Sequence, residues 1–355
     1  MNITTSVEYS ASQLDIQKIS IACTIDRERI YFLKKYLMVK CMSNPEIFFS
    51  NKKVLITGAS GFIGRHLLHQ VHTYGSHIST ISRNNNDFPK DVEQHIVDIT
   101  DTNAIEECVH TIRPDYIFHL AAYKERNENV QGFYSSVETN LIGSLNLFSA
   151  VKNVGSVKSI VTLGTIEEYG NNRPPFDERF RESPVTPYSF SKICVSHMGE
   201  MFFHLYGLPV VIVRPALTYG PGQGTEMFLP SLITSLIEDK PFNMTPGEQT
   251  RDFVFVTDLV EGLILASVTP KAQGQIINLG SGVPVKLIDL ANTVETMTGK
   301  KGLVNPGGKS YGKNEVMEYY LDIRKAGDLL GWKAKTQMGD GLAKTIAYYR
   351  EVKDL

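Results

Sequence analysis

The chain is poor in cysteine and tryptophan, has no long apolar run, and carries no surplus of either charge. Each lack excludes something. The four cysteines among 355 residues (Cys23, Cys41, Cys108 and Cys194) form no CxxC pair and no metal-like spacing. Free thiols in a reducing, cytoplasmic setting and no metal site are therefore expected. No stretch of about 18 uncharged apolar residues occurs, so neither a membrane span nor a membrane partner is expected. The 36 basic residues are matched by 38 acidic ones, for a net charge of −2, and the basic excess of a nucleic-acid binder is missing. Residues 1–50 lack an uninterrupted apolar region followed by a small-residue cleavage site, because Arg27-Glu28-Arg29 and Lys34-Lys35 break every apolar run. A signal peptide is disfavoured. What remains for this extension is a mobile arm, a small packed helix or a mis-assigned start, with Met38 and Met42 as candidate true starts.

What is present is an ordinary soluble composition, 42% hydrophobic and 21% charged, in a chain long enough for about two domains. From Lys53 onward, short apolar runs alternate with helical patterns. Strands are expected at Val54–Ile56, His77–Ile81, His95–Val97, Tyr116–Leu120, Ser159–Leu163 and Val210–Val213, and helices at Gly64–Tyr74 and Asn103–Thr111. That alternation predicts an α/β fold of Rossmann type, a doubly wound parallel sheet covered on both faces. After Arg214 the pattern changes. Gly220–Gly224 and Pro241–Arg251 read as irregular, and Gln275–Leu279 as a return strand. The expected organisation is a dinucleotide-binding domain over 51–215 and a smaller, mainly substrate-binding C-terminal domain over 216–355, with segments returning to the first.

Thr57-Gly58-Ala59-Ser60-Gly61-Phe62-Ile63-Gly64 follows the first strand and opens the first helix, in a GxxGxxG pattern. Glycine permits the tight turn, and the missing side chains let backbone N–H groups approach a pyrophosphate at a helix N-terminus. A glycine pattern alone is weak, since packing alone can require it; the strand before and the helix after supply the context that the motif needs. The end of the second strand reads Ile81-Ser82-Arg83-Asn84, with no acid until Asp87. An acid there would bind a ribose 2′-hydroxyl, whereas Arg83, helped by Ser82, suits a 2′-phosphate. NADP(H) is favoured over NAD(H), the bland alternative being that Arg83 is only a solvated loop charge. Tyr188-Ser189-Phe190-Ser191-Lys192 is a YxxxK pattern after Pro187, a good helix start. Spacing of four puts both side chains on one face, where an ammonium favours the phenolate over a phenol of pKa about 10. An exposed helix face would explain the same spacing blandly.

Several motifs in order give the chain a resemblance to the extended short-chain dehydrogenases, in the epimerase/dehydratase group that acts on nucleotide sugars. They are the TGxxGFIG turn at Thr57–Gly64, His119-Leu120-Ala121-Ala122, Asn140 within Thr139–Gly143, Thr165 four residues before Tyr169-Gly170, Arg214-Pro215 with Tyr219–Gly222, and Arg251–Asp258. The resemblance covers about residues 53–350. It implies that Tyr188 is the proton donor or acceptor, Lys192 its electrostatic partner and a ribose ligand, and Thr165 a hydrogen-bond donor to the reacting oxygen. It further implies that Gly58, Gly61, Phe62, Ile63 and Gly64 bind the diphosphate, that Asp98 and Ile99 lie near the adenine, and that Leu120, Ala121 and Ala122 line the cofactor groove. Arg251 would hold the nucleotide of the substrate, the bland alternative being an ion pair with Asp252 or Asp258. A homodimer is implied as well. A mis-assigned start is the preferred reading of residues 1–50, because similar proteins begin only a few residues before their first strand.

The reaction is narrowed by Thr165-Ile166-Glu167. The group's dehydratases carry TDE or TSE here, and isoleucine can neither give nor take a proton. Glu168-Tyr169-Gly170 completes an EEYG ending similar to reductases that make 6-deoxy sugars, with Glu167 as a candidate sugar ligand. A 4-ketoreductase acting on a nucleotide-linked 4-keto-6-deoxy sugar is the favoured expectation. A 4-epimerase with tightly bound NAD is the close alternative, and a non-catalytic regulatory protein on the same fold the remote one.

Overall fold

Val54, Leu55 and Ile56 are fully buried, as a strand covered on both faces requires. They lie in β1 (Lys53–Thr57) of the computed structural model, which describes residues 45–124, 129–312 and 314–354. In chain order there follow β2 (His77–Ser82), β3 (Glu93–Ile96), β4 (Tyr116–His119), β5 (Ser159–Leu163) and β6 (Val210–Pro215). Then come β7 (Leu217–Tyr219), β8 (Phe242–Met244), β9 (Thr250–Phe255), β10 (Ile276–Leu279), β11 (Pro284–Lys286), β12 (Val304–Pro306) and β13 (Glu318–Tyr319). Seven strands form the main sheet in the order β10-β6-β5-β4-β1-β2-β3, every pairing parallel. Strand order reverses between β1 and β4. The crevice beyond their carboxyl ends is the topological switch point, where such sheets bind ligands.

The covering helices follow the expected periodicity. Thr102–Ile112 buries Ile105, Cys108, Val109 and Ile112 on one stripe, and Asp101 caps it by accepting from the Ala104 N–H. That stripe joins Leu147, Phe148, Ile160, Val210 and Ile212 in the first core. A second core gathers Tyr219, Leu232, Phe253, Phe255, Leu290 and Leu342 from the C-terminal part. There β9 pairs with β7, β11 and β13, and β8 with β12. No helix among the described residues is long and apolar enough to cross a membrane.

The differences from expectation are local. The first helix starts at Phe62 rather than Gly64, and the third strand lies at 93–96 rather than 95–97. The stretch 241–251, expected to be irregular, contains β8 and the start of β9. A three-residue strand whose partner, β12, lies far along the chain leaves no local period to read. The return strand β10 pairs with β6, Asn278 lying opposite Arg214. Residues 1–44 lie outside the described residues, as do Cys23, Cys41, Met38 and Met42. Residues 45–50, placed by sequence in the extension, include the helix Glu46–Phe49. Phe49 is fully buried, its ring 4.8 Å from that of Tyr116, so the packed body begins ahead of the expected boundary.

Candidate active site

The crevice is floored by the glycine turn. Gly58 has φ +71°, and a Cβ there would come within 2.6 Å of the Ala121 nitrogen. A Cβ on Gly64 would meet the Gly58 oxygen at 2.2 Å. The first glycine thus lets β1 and the chain after β4 touch, and the third lets the helix lie on the turn. Gly61 is the N-cap of the helix Phe62–Thr73 and brings no side chain to its orphan N–H groups. A tight glycine turn that opens directly into a helix N-terminus fits a dinucleotide's diphosphate. Leu120, Ala121 and Ala122 are half-buried beside it, as are Phe62 and Ile63.

A buried relay stiffens this floor. The Ala121 N–H donates to Thr57 Oγ1 at 3.2 Å, and Thr57 Oγ1 lies 2.7 Å from His119 Nδ1. His119 Nε2 lies 2.8 Å from Ser144 Oγ, which donates to the Asn140 carbonyl. Because the Ser144 proton is committed to Asn140, His119 must donate from Nε2 and accept from Thr57 at Nδ1. Burial, aided by the Lys192 charge, drives the His119 ring down to about 3, which keeps it neutral. Asn140 lies in a π-helical turn, Val137–Ile142. Its amide donates to Ser191 Oγ at 2.9 Å and to the Tyr123 carbonyl at 3.0 Å, so it ties the chain after β4 to the YxxxK helix.

That helix, Pro187–Tyr206, begins with proline at its first position and a capping box between Thr186 and Ser189. Tyr188 is half-buried on its first turn. One turn on, Lys192 is 4% exposed and donates from Nζ to the Leu163 carbonyl at 2.6 Å. Burial lowers the Lys192 ammonium to about 8, the Glu168 charge working in the opposite direction. Thr165 caps the short turn Ile166–Tyr169, its Oγ1 accepting from the Glu167 N–H at 3.3 Å. The lysine is thus bonded to the end of β5, two residues before Thr165.

Sequence reasoning passed over a fully buried carboxylate in this region. Glu168 is fully buried, and its Oε1 accepts from the Thr165 N–H at 2.8 Å. Its Oε2 accepts from Ser196 Oγ at 2.8 Å and from Arg214 Nε and Nη2 at 2.8 and 2.7 Å. Arg214 also pairs with Glu182 at 2.7 Å and stacks 4.8 Å from the Tyr169 ring. A signal was available: an arginine ending the apolar strand Val210–Val213 is buried only if a carboxylate meets it.

The remaining expected site residues separate into two groups. Arg83 is exposed at the end of β2 and makes no hydrogen bond among the described residues. Asp98 is held below the usual carboxylate range by the Thr100 N–H and hydroxyl, with a further contribution from the Arg83 charge. Ile99 is buried against Gly143. Ser82, expected to help hold a phosphate, donates its proton to the Asn84 carbonyl at 2.7 Å instead. Arg251 lies in β9 and pairs with Glu315, and its Nη1 donates to the Thr250 and Val316 carbonyls at 2.8 Å. Neither Asp252 nor Asp258 is its partner: Asp252 accepts from Ser281, Gly282 and Leu321, and Asp258 from Lys335 and Thr336. Glu167 is half-buried.

A glycine turn at the switch point of a parallel sheet, with a tyrosine–lysine helix crossing the end of β5, defines a short-chain-dehydrogenase type of nucleotide-dependent enzyme. The model of the NAD dependent epimerase/dehydratase family matches residues 54–280, and the chain belongs to that family, whose curated relatives are nucleotide-sugar epimerases and dehydratases. Among these relatives, a UDP-glucuronate 4-epimerase of Thermodesulfobacterium geofontis is 28% identical over 84% of this chain and 96% of its own. The UDP-glucose 4-epimerase of Thermotoga maritima, solved with UDP-glucose, superposes with a TM-score of 0.80 at 27% identity, over 85% of this chain and 99% of that one. A dTDP-glucose 4,6-dehydratase of Streptomyces venezuelae, solved with NAD bound, gives 0.77 at 25% identity, over 85% and 98% of the two chains.

Proposed function

We propose that the protein reduces the 4-keto group of a nucleotide-linked 4-keto-6-deoxy sugar with NADPH. The observation that carries this reading is the exposed guanidinium of Arg83 directly after β2, where Ile81-Ser82-Arg83-Asn84 offers no acid for a ribose 2′-hydroxyl. A second observation argues against water elimination. Ile166, at the position where the dehydratases carry Asp or Ser, has no proton to transfer.

The turn at Gly58, Gly61 and Gly64 would hold the cofactor's diphosphate, and Arg83 its 2′-phosphate. Asp98 and Ile99 would border the adenine, and Leu120–Ala122 would wall the groove. Bound there, the nicotinamide supplies the hydride for the sugar's C4. Tyr188 gives its phenolic proton to the carbonyl oxygen, so that hydride and proton together make the alcohol. Lys192 stabilises the phenolate left behind until solvent reprotonates it. Thr165 accepts from the Glu167 N–H, which leaves its one hydroxyl proton to donate to the same oxygen. The nucleotide sugar would lie against residues 216–355, with Arg251 at the nucleotide and Glu167 at the sugar. Phe133, Tyr134, Phe190, Met201 and Leu205 are exposed on the helices Val130–Ser136 and Pro187–Tyr206, which supports a homodimer through that face.

A 4-epimerase holding NAD is the second reading, favoured by the names of the epimerase relatives. Titration with NADPH and NADH separates the two, after the protein as purified is checked for retained NAD. Exchangeable, preferential NADPH binding supports the reductase. Retained NAD with no NADPH preference overturns it in favour of the epimerase.

A further inference from the structure

We infer that Glu168 is a positioning residue, which fixes Thr165 and the Tyr188–Lys192 helix in one frame so that both reach the same substrate oxygen. The inference rests on the proposed roles of Thr165, Tyr188 and Lys192. Tyr188, Lys192 and Ser196 follow one another at intervals of four along the helix Pro187–Tyr206 and therefore share a face. The Glu168 carboxylate holds both ends of the arrangement. One oxygen takes the Thr165 N–H at 2.8 Å, and the other takes the Ser196 hydroxyl, one turn beyond Lys192, at 2.8 Å. A hydroxyl and a main-chain N–H that belong to different elements are thus bridged by one rigid group.

The surroundings are built to keep that group in place. Arg214 reaches it with two nitrogens and is itself backed by Glu182 and the Tyr169 ring. Gly164 makes room for it: a Cβ there would come 2.3 Å from Glu168 Oε1. The carboxylate also acts through its field. Lys192 is faced by Glu168 from the turn after β5, by neutral His119 from β4 and by Tyr188 on its own helix, and the Glu168 charge favours the ammonium. Arg214 opposes that field from β6, and its own charge is divided between Glu168 and Glu182.

The test compares the wild type with Glu168→Gln and Ser196→Ala, measuring turnover and its pH dependence. Wild-type turnover and its loss in Tyr188→Phe first establish the reaction, so failure of the proposed function shows before either variant is read. Glutamine is isosteric but has one acceptor oxygen, so it cannot accept from the Thr165 N–H on one side and from Ser196 and Arg214 on the other. Expected for Glu168→Gln is a kcat reduced by about 30-fold or more, an almost unchanged KM, and an alkaline limb moved to lower pH, because the ammonium of Lys192 loses its support. A folded Glu168→Gln with wild-type kcat and an unmoved limb overturns the inference. If that variant does not fold, Ser196→Ala decides. It removes only the grip on the helix; a kcat lowered about fivefold at unchanged KM supports the inference, and wild-type kcat overturns it.

Discussion

Replacing Arg214 with methionine puts the buried charges of this fold to a quantitative test. The guanidinium is fully buried, donates to Glu168 through Nε and Nη2, and shares Nη2 with Glu182. Its Nη1 is buried with no partner, so the arginine is itself not fully satisfied and its removal recovers something. Methionine fills similar space, and the dominant loss is the pairing of Glu168, which stays fully buried. Breaking a buried pair from one side costs about 3–5 kcal/mol. A second argument bounds the loss independently. The variant can escape by protonating Glu168, and neutralising a free glutamate at pH 7 costs about 3.7 kcal/mol. The two figures agree, so a loss of about 3–4 kcal/mol is expected at pH 7 in urea unfolding. The bound also sets the pH dependence. A carboxyl group more easily protonated in the folded than in the unfolded chain loses stability as pH rises, so the deficit should shrink to about 1 kcal/mol at pH 5. A deficit below about 1 kcal/mol at pH 7, or one that grows on acidification, would refute the reasoning.

Three further outcomes are expected. Arg83→Ser should weaken NADPH by roughly ten- to a hundredfold, about 1.5–3 kcal/mol for a charged hydrogen-bonded contact, and leave NADH unchanged, as read by fluorescence titration. Gly58→Ala should abolish binding of either cofactor and lower stability by about 1–3 kcal/mol from backbone strain alone, since φ is +71° and the new Cβ would press on the Ala121 nitrogen. Lys192→Met should remove a pH dependence: burial holds the folded-state lysine at about 8, below its free value, so the unfolded chain binds the extra proton above that pH. Stability of the wild type relative to Lys192→Met should therefore rise by up to about 3 kcal/mol between pH 8 and 10.5, and parallel urea midpoints across that range would contradict it.

The parallel core was legible because buried strands such as Val54–Ile56 and Val210–Val213 are unbroken apolar runs, and because glycines and prolines punctuate the helices between them. Gly58 and Gly64 were legible for a similar reason: a position that cannot hold a Cβ leaves a glycine in the sequence. What escaped depends on partners distant along the chain. The strand β8 takes its pairing from β12, and Arg251 takes its ion partner from Glu315 rather than from the nearby Asp252 or Asp258. Glu168 stood in view within an EEYG ending, yet only the arrival of Ser196 and Arg214 from two other elements shows what its carboxylate does. The Ser82 hydroxyl could not be assigned from sequence either, because its acceptor is set by the local turn toward Asn84.

The central claim is net reduction at C4 by NADPH, and the most direct measurement is turnover. Purified protein would be mixed with NADPH and nucleotide-linked 4-keto-6-deoxy sugars, following NADPH absorbance and identifying the sugar product. The account predicts one NADPH consumed per 4-hydroxy sugar formed, with the rate lost in Tyr188→Phe. Interconversion of 4-hydroxy epimers by the protein as purified, with no net consumption of NADPH, would contradict it.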